Sequence, residues 1–329
     1  MHAIRLLITG LFALIMSACG DKSTPSVSGV AANAPQAKTG SDEIAVIKVT
    51  LIMKTLTNPF FVEMEKGARR AQRETGIDLQ VKTATQETSI DQQIALVENQ
   101  IKANVHAIVI APGDSRRLIP VLKKAQDAGI KVVNIDNRLN PEAVAAIGME
   151  PVPFISVNND KAAYLSAKFV ADQIRQPAEA AIFEGIRSAD NAMQRKQGAE
   201  RAFKENGKLR IVAMQTANWK IDEAYDVAKS VFKNNPKIAV VFCANDMMAI
   251  GVIKYLQESG KTAVLVAGFD ALEEAKIAIR AGQMAATIDQ QAGKQGYQGV
   301  MTALKILRGE AVPDQIEIDA MLLTADMLK

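Results

Sequence analysis

The stretch IAVIKVTLIMKTLTNPFFVEMEKGARRAQRETG, residues 44–76, joins an apolar run to a helical pattern. The run is rich in Val and Ile, which predicts a strand over residues 44–53. Asn58 and Pro59 favour a helix N-cap and a first helical turn, and Gly76 is typical of a helix end. The apolar residues between them recur every three or four positions and share one helical face, namely Phe61, Met64, Ala68 and Ala71. The stretch therefore predicts a strand followed by an amphipathic helix.

The same alternation of strand and helix continues along the chain. Further strands are predicted over residues 77–83, 105–111, 130–135, 178–183, 209–215, 238–243, 262–267 and 286–288. Further helices are predicted over residues 90–101, 118–128, 161–174, 192–205, 221–233, 247–258, 272–281 and 293–307. Because the pattern restarts after about Asn158, we expect an α/β protein with two doubly wound parallel-sheet lobes.

Composition narrows the class of protein. A chain of 329 residues suits two domains. The formal net charge is +3, with Lys and Arg scattered among Asp and Glu, so no nucleic-acid partner is expected. The only histidines are His2 and His106, which argues against a histidine-based metal site or a Ser-His-Asp triad. Cys243 lies in an apolar run and is expected to be a buried structural thiol.

The N-terminus has the order of a secretory signal: a short charged start, an apolar stretch and small residues. Met16-Ser17-Ala18-Cys19 resembles a bacterial lipobox, so residues 1–19 are interpreted as a lipoprotein signal with Cys19 as the lipidated residue. An ordinary cleaved signal is the alternative. Residues 20–43 are rich in Ser, Ala, Gly, Pro and Thr and are interpreted as a flexible tether. The globular part is then expected to work outside the cytoplasm, held to a membrane only by its lipid anchor.

Polar and aromatic residues follow many of the predicted strands. Ligands of doubly wound folds bind beyond the carboxyl ends of the strands, so these residues are candidate binding groups. Amides and carboxylates can exchange hydrogen bonds with sugar hydroxyls, and aromatic rings can cover the apolar faces of a sugar. The candidates are Lys54, Asn58, Phe60, Asp136, Asn137, Arg138, Trp219, Asn245, Phe269, Asp270 and Gln290.

Several residues near the strand ends also have structural interpretations. Asn58 and Asp246 can be helix caps, and Phe61 falls on the core face of its helix. Asp136 and Asp270 each end an apolar strand, where packing does not readily explain a carboxylate. Helix packing and surface exposure are alternatives for Trp219 and Arg138.

Five short motifs resemble those of the ribose-binding-protein group of type I periplasmic binding proteins. They are TLTNPFF (55–61), NIDNR (134–138), FCANDM (242–247), GFD (268–270) and ATIDQ (286–290), and the resemblance runs from about residue 45 to the C-terminus. It implies two lobes joined by three hinge crossings, near Val157-Asn158, Gln290-Gln291 and Asp319-Ala320. The N-terminal lobe would comprise residues 44–157 and 291–319, and the C-terminal lobe residues 158–290 and 320–329.

The resemblance also implies roles for individual residues. Sugar hydroxyls would bond to Asn58, Asp136, Asn245, Asp270 and Gln290, and the ring would be covered by Phe60, Trp219 and Phe269. Asn159, beside a crossing, would also reach the ligand. The chain departs from ribose binders at four positions, which puts ribose itself in doubt. Lys54 stands where they have serine, and Ala111 where they have asparagine. Asn137 and Met193 each stand where they have arginine, although in this chain the residue after Asn137 is Arg138. Lys54 is compatible with an acidic or phosphorylated sugar, or with an ion pair to Asp136.

The function implied by the resemblance is capture of a small sugar or polyol for an ABC importer. The partner would be the transporter permease, and the binding protein would be a monomer without cofactor or metal. A clamshell that feeds a membrane receptor or kinase is the alternative. An enzyme is not favoured, because the sequence has no Gly-rich dinucleotide loop, P-loop or nucleophile elbow. A sugar-responsive repressor is set aside, because a signal and a tether stand where such repressors carry a helix-turn-helix.

Overall fold

The computed structural model describes residues 46–329. The predicted signal (1–19), the tether (20–43) and the start of the first predicted strand lie outside this range. Within the described range, none of the helices combines the length and apolar character needed to cross a bilayer.

Residues 46–329 form twelve strands and ten α-helices. The strands are β1 Lys48–Met53, β2 Asp78–Thr83, β3 Ala107–Ile110, β4 Lys131–Ile135, β5 Phe154–Ser156, β6 Ala178–Glu184, β7 Leu209–Thr216, β8 Ile238–Cys243, β9 Leu265–Ala267, β10 Ala286–Asp289, β11 Gln315–Glu317 and β12 Met321–Thr324. The helices are α1 Pro59–Thr75, α2 Ile90–Lys102, α3 Ile119–Asp127, α4 Pro141–Ala146, α5 Asn159–Ala171, α6 Asp190–Asn206, α7 Ile221–Asn234, α8 Asp246–Glu258, α9 Glu273–Arg280 and α10 Ala292–Leu307. A 3₁₀ turn, Ala325–Leu328, ends the chain.

The strands form two six-stranded sheets. The first has the order β11-β5-β4-β3-β1-β2 and is parallel throughout. The second has the order β12-β10-β9-β8-β6-β7 and is parallel except for β12, which runs antiparallel to β10. Helices α1 and α10 pack on one face of the first sheet, and α2 and α3 pack on the other. The predicted α/β fold with two doubly wound lobes is confirmed.

The chain crosses between the sheets three times. It passes from β5 to α5, from β10 to α10 and from β11 to β12, at residues 157–158, 290–291 and 318–320. Helix α5 packs against strands of the second sheet, and α10 packs against strands of the first. Each lobe is therefore assembled from separate parts of the chain, and three short crossings connect the lobes.

Most predicted elements lie where the patterns place them. Helix α1 begins at Pro59 with the Asn58 side chain as its N-cap and ends before Gly76, whose φ is 72°. Cys243 is fully buried at the end of β8. The strand predicted over residues 262–267 begins only at Leu265. Elements α4, β5, β11 and β12 were not predicted, since each has six residues or fewer and too few turns or alternations to show a period.

Helix α6 packs closely against α5 at Gly198. Gly198 of α6 faces the carbonyl oxygen of Asp160, and a Cβ at position 198 would overlap that oxygen. The absence of a side chain lets the two helices pack backbone against backbone. The contact lies on the helix that carries Asn191 and Arg195 near its start.

Candidate ligand-binding site

A cavity lies between the lobes, at the carboxyl ends of the strands of both sheets. It contains about 230 Å³ of empty space. First-lobe residues on its wall follow β1, β2 and β4, whereas second-lobe residues lie on α6 and after β7, β8, β9 and β10. The lining residues are Lys54, Asn58, Phe60, Phe61, Glu87, Asp136, Asn191, Arg195, Trp219, Asn245, Asp270 and Gln290.

Three lining residues have a left-handed backbone, which is uncommon for residues other than glycine. The φ angles are 63° at Asp136, 68° at Trp219 and 123° at Asp270. Such positions typically cost about 1–3 kcal/mol each and are concentrated at functional sites. In the first lobe the turn is supported because Asp136 N donates to Ile155 O and Ser156 Oγ donates to Asp136 O. Backbone strain therefore accompanies the side chains that face the cavity.

In the first lobe, a buried ion pair forms one wall of the cavity. Lys54 Nζ lies 2.8 Å from Asp136 Oδ2 and 3.9 Å from Glu87 Oε2. Lys54 and Asp136 form a buried ion pair, and Asp136 Oδ2 has no hydrogen-bond partner among the described residues. Burial raises the pKa of the Glu87 carboxyl, and the charge of Lys54 opposes that rise.

Asn58 has both of the roles considered for it. Its Oδ1 accepts a hydrogen bond from Phe60 N at 3.0 Å, which caps α1. Its Nδ2 donates to Glu87 Oε1 at 3.0 Å. The cap therefore also orients a carboxylate on the cavity wall.

In the second lobe, Arg195 is the centre of the polar wall. Its guanidinium donates to Asn159 Oδ1 at 2.8 Å, to Ala244 O at 2.9 Å and to Gln290 Oε1 at 3.2 Å. Burial lowers the pKa of this guanidinium, whereas the neighbouring carboxylates raise it. With its donors held by three different elements, Arg195 has little freedom to move.

Asp270 and Phe269 complete the surroundings of Arg195. Asp270 Oδ1 lies 3.5 Å from Arg195 Nη1 and accepts a hydrogen bond from Gln290 Nε2 at 2.6 Å. The Arg195 guanidinium lies over the Phe269 ring, 3.7 Å from its centroid. Burial raises the pKa of the Asp270 carboxyl, and the charge of Arg195 acts against that rise.

Besides Asp136 Oδ2, which is ion-paired with Lys54, two lining side chains present buried polar atoms without a hydrogen-bond partner among the described residues. They are Trp219 Nε1, which can only donate, and Asn191 Oδ1, which can only accept. Trp219 and Asn191 are 4% and 2% exposed. Buried polar atoms are nearly always paired, so this donor and this acceptor are suited to a ligand that carries hydroxyl groups.

Direct hydrogen bonds join the two lobes beside the cavity. Ser115 N donates to Ser188 O at 3.1 Å, and Asp190 N donates to Ser115 Oγ at 2.9 Å. Asn191 N donates to Asn137 Oδ1 at 3.1 Å. The first-lobe residues Ser115 and Asn137 thus hold the start of α6, and the structure is that of the closed cleft.

The structure brings eight of the twelve predicted residues to the cavity wall: Lys54, Asn58, Phe60, Asp136, Trp219, Asn245, Asp270 and Gln290. Asn159 and Phe269 lie behind Arg195 and contact it rather than the cavity. Asn137 bridges the lobes, and its Nδ2 donates to Pro112 O. Arg138 faces away from the cavity, with its guanidinium over the Phe154 ring and hydrogen-bonded to Gln315.

Four lining residues were not predicted: Phe61, Glu87, Asn191 and Arg195. Met193 was interpreted as replacing a binding arginine, but its side chain is 48% exposed and Arg195 supplies the guanidinium. The spacing offered a signal, because Asn191 and Arg195 are four residues apart and share a helical face. Glu87 lies in the turn before α2, where no periodicity indicates its direction. Across residues 46–329 there is no cluster of three or more His, Cys, Asp or Glu residues suited to a metal.

Comparisons with known proteins agree with this geometry. The family model described as periplasmic binding protein domain matches residues 49–311. The D-ribose/D-allose-binding protein of Pseudomonas aeruginosa is 37% identical over 305 residues, which is 91% of each chain. The D-allose-binding periplasmic protein of Escherichia coli is 31% identical over 288 residues, 85% of this chain and 93% of its own.

A solved structure is similar over most of the chain. It is an ABC transporter periplasmic solute binding protein from Actinobacillus succinogenes with bound D-allose, which has 37% identity and a TM-score of 0.81. The match covers 86% of this chain and 99% of that one. These relatives are substrate-binding transport proteins rather than enzymes. The chain described here belongs to the periplasmic binding protein family.

Proposed function

We propose that this protein binds one neutral monosaccharide between its lobes, with D-allose as the first candidate, and presents it to the permease of an ABC importer. The observation that carries the proposal is the charge balance of the cavity wall. Both cations, Lys54 and Arg195, are already paired with carboxylates, while hydrogen-bonding groups remain available for hydroxyls.

The mixed polar and aromatic wall of the cavity suits a single sugar. Fixed donors and acceptors come from both lobes, and Phe60 and Trp219 add aromatic surface to the wall. A sugar presents both hydroxyls and flat C–H faces, so it can use both kinds of group at once.

The charge balance disfavours an acidic or phosphorylated sugar. Lys54 is paired with Asp136, and Arg195 with Asp270, while Glu87 adds a further carboxyl group. An anionic ligand would bring a negative charge into a buried site whose cations are already neutralised, which is costly without a new partner. Lys54 is therefore assigned to an ion pair, not to an anionic ligand.

The choice of D-allose follows the relatives. The relative named for both D-ribose and D-allose is 37% identical, and a similar solved structure with bound D-allose is also 37% identical. The Escherichia coli relatives named for D-allose and for ribose are 31% and 29% identical. Lys54 also stands where the ribose binders have serine. We therefore place D-allose before D-ribose.

Calorimetric titration with D-allose, D-ribose, D-ribose 5-phosphate and D-allonate tests the proposed ligand class. We expect D-allose to bind with a dissociation constant of about 1 μM or below, which corresponds to about 8 kcal/mol. The two anions should bind at least about 100-fold more weakly, because a buried unpaired charge costs several kcal/mol. Tight binding of either anion, or no binding of any neutral aldose, would contradict the proposal.

Removing either strand-end carboxylate should abolish most binding. Asp136→Ala and Asp270→Ala each leave a buried cation without its carboxylate partner. Removing one partner of a buried ion pair typically destabilises the structure that buries it, here the closed cleft, by ~3–5 kcal/mol. We expect the dissociation constant for D-allose to rise roughly 100-fold or more, as measured by calorimetry. The control is Asp172→Ala, which removes an exposed carboxylate at the end of α5. Near-native affinity in both cavity variants would remove these residues from the site.

The hydrogen bonds between the lobes should contribute to affinity without contributing to selectivity. Asn137→Ala and Ser115→Ala each remove a bond that holds the closed cleft, worth ~0.5–1.5 kcal/mol. Binding of every accepted sugar should weaken by the same factor, whereas Lys54→Ser, which alters the wall, should change the ratio between sugars. A selective loss in Asn137→Ala, measured with two sugars, would instead indicate ligand contact.

The predicted lipidation and domain division complete the proposal. Cys19 carries the lipid anchor, residues 20–43 tether a monomeric clamshell, and the lobes comprise 44–157 with 291–319 and 158–290 with 320–329. Expression with labelled palmitate in a bacterial host should label the unmodified chain and leave Cys19→Ser unlabelled. Equal labelling of both chains, or labelling of neither, would contradict the anchor.

A further inference from the structure

Asp246 is a buried carboxylate that the proposed ligand contacts do not use. It is fully buried at the first position of α8 and does not line the cavity. Its Oδ1 accepts a hydrogen bond from Thr287 Oγ1 at 2.7 Å, and its Oδ2 accepts one from Leu272 N at 2.9 Å. A carboxylate used only as a helix cap would not reach across to a neighbouring strand and to a second turn.

The hydrogen bonds of Asp246 and of its partner Thr287 lead to the turn that carries Asp270. Two consecutive residues of this turn, Asp270 and Ala271, have φ angles of 123° and 55°. Ala271 N donates to Thr287 Oγ1 at 3.2 Å, so the same hydroxyl serves both the turn and Asp246. Asp246 N donates to Phe269 O at 2.8 Å. Asp246 thus bonds directly to the residues before and after the strained pair, and Thr287 bonds to the backbone within it.

The preceding residue is shaped to admit this carboxylate. A Cβ at Gly268 would overlap Asp246 Oδ1 and the methyl group of Met284. Gly268 therefore lets the carboxylate reach beneath the turn.

We propose that Asp246, acting with the Thr287 hydroxyl, is the positioning residue that holds the strained turn at residues 269–272 and so fixes Asp270 toward the ligand. The inference rests on the proposed function, since it assigns a support to one of the proposed ligand carboxylates. If Asp246 were only a helix cap, removing its carboxylate would lower folding stability without changing ligand affinity, whereas a positioning residue affects both.

The charges around Asp246 make this support sensitive to pH. Asp270 faces it from the turn, Arg195 from α6 and the Cys243 thiol from β8. Burial raises the pKa of Asp246 to about 6, although its hydrogen bonds act to lower it. Because this pKa lies above the ordinary aspartate value of 3.8, the stability contributed by this group is present at low pH and is lost as the pH rises through about 6. Ionisation of Asp246 therefore lowers the free energy of unfolding.

Ionised Asp246 serves instead as an acceptor for two donors. Below about pH 6 Asp246 is protonated, and one of its oxygens becomes a donor. That donor then faces another donor, either the Thr287 hydroxyl or Leu272 N, so one of the two hydrogen bonds is lost. The turn should loosen as the pH falls, and ligand affinity should fall with it.

A matched pair at position 287 tests the support without touching the cavity wall. Thr287→Val keeps the shape and removes the hydroxyl, whereas Thr287→Ser keeps the hydroxyl. We expect Thr287→Val to weaken D-allose binding roughly tenfold, the effect of one buried hydrogen bond, and Thr287→Ser to bind nearly as the unmodified protein does. Affinity is measured by calorimetry at about pH 7.5, with a thermal melt of each variant to register effects on folding.

The pH profile supplies the second readout. Between about pH 5 and pH 8 the unmodified protein should bind D-allose more weakly as the pH falls through about 6. Asp246→Asn should bind weakly throughout, with a flat profile, because it cannot be ionised. An unchanged profile in Asp246→Asn would assign the titration to Asp270 or Glu87 and overturn the inference, as would equal binding by both Thr287 variants. Failure of the unmodified protein to bind any neutral aldose would overturn the proposed function instead.

Discussion

Two buried ion pairs, one in each lobe, are the constraint on which the closed cleft depends. Lys54 with Asp136 and Arg195 with Asp270 lie on opposite walls of one cavity, and all four side chains are about 3% exposed. Removing such charges from water costs several kcal/mol per ion, and their mutual attraction repays that only when the remaining hydrogen bonds are satisfied. Lobe closure without ligand is therefore opposed by desolvation. A ligand whose hydroxyls complete the hydrogen bonds removes that opposition, so ligand binding and closure become one process.

The lobe–lobe hydrogen bonds act against this desolvation independently of the ligand. Ser115 and Asn137 bond to backbone at the start of α6, which also carries Asn191 and Arg195. Each such bond contributes only ~0.5–1.5 kcal/mol. That contribution is too small to close the cleft alone but large enough to reduce the interaction energy that the ligand must supply. Closing also delivers Asn191 Oδ1 to the cavity, so the same contact that joins the lobes completes the wall.

The sequence allowed the fold and most of the cavity wall to be predicted, because both follow from local rules. The N-cap at Asn58 and the left-handed Gly76 define α1, and the rule that ligands bind at strand ends located Asp136, Asn245 and Asp270. The direction in which a side chain points from a turn depends on tertiary contacts, so the local sequence does not predict it. Asn137 and Arg138 follow the same strand as Asp136, yet only Asp136 faces the cavity. Arg195 was missed because an arginine in a charged helix usually lies at the surface.

The position of Asn137 shows how one substitution can separate closure from recognition. Where the ribose binders have an arginine, this chain places an amide that bonds to the other lobe, and the guanidinium of the following Arg138 is directed outward. In the proposed site, recognition falls to groups held by their own lobe, such as Asp136 and Asp270. The groups that join the lobes set how often the cleft closes empty. For an importer this balance matters, because an empty closed protein would compete with the loaded form for the permease. Modest lobe–lobe bonding is opposed by costly ion-pair burial, and this balance disfavours closure without a ligand.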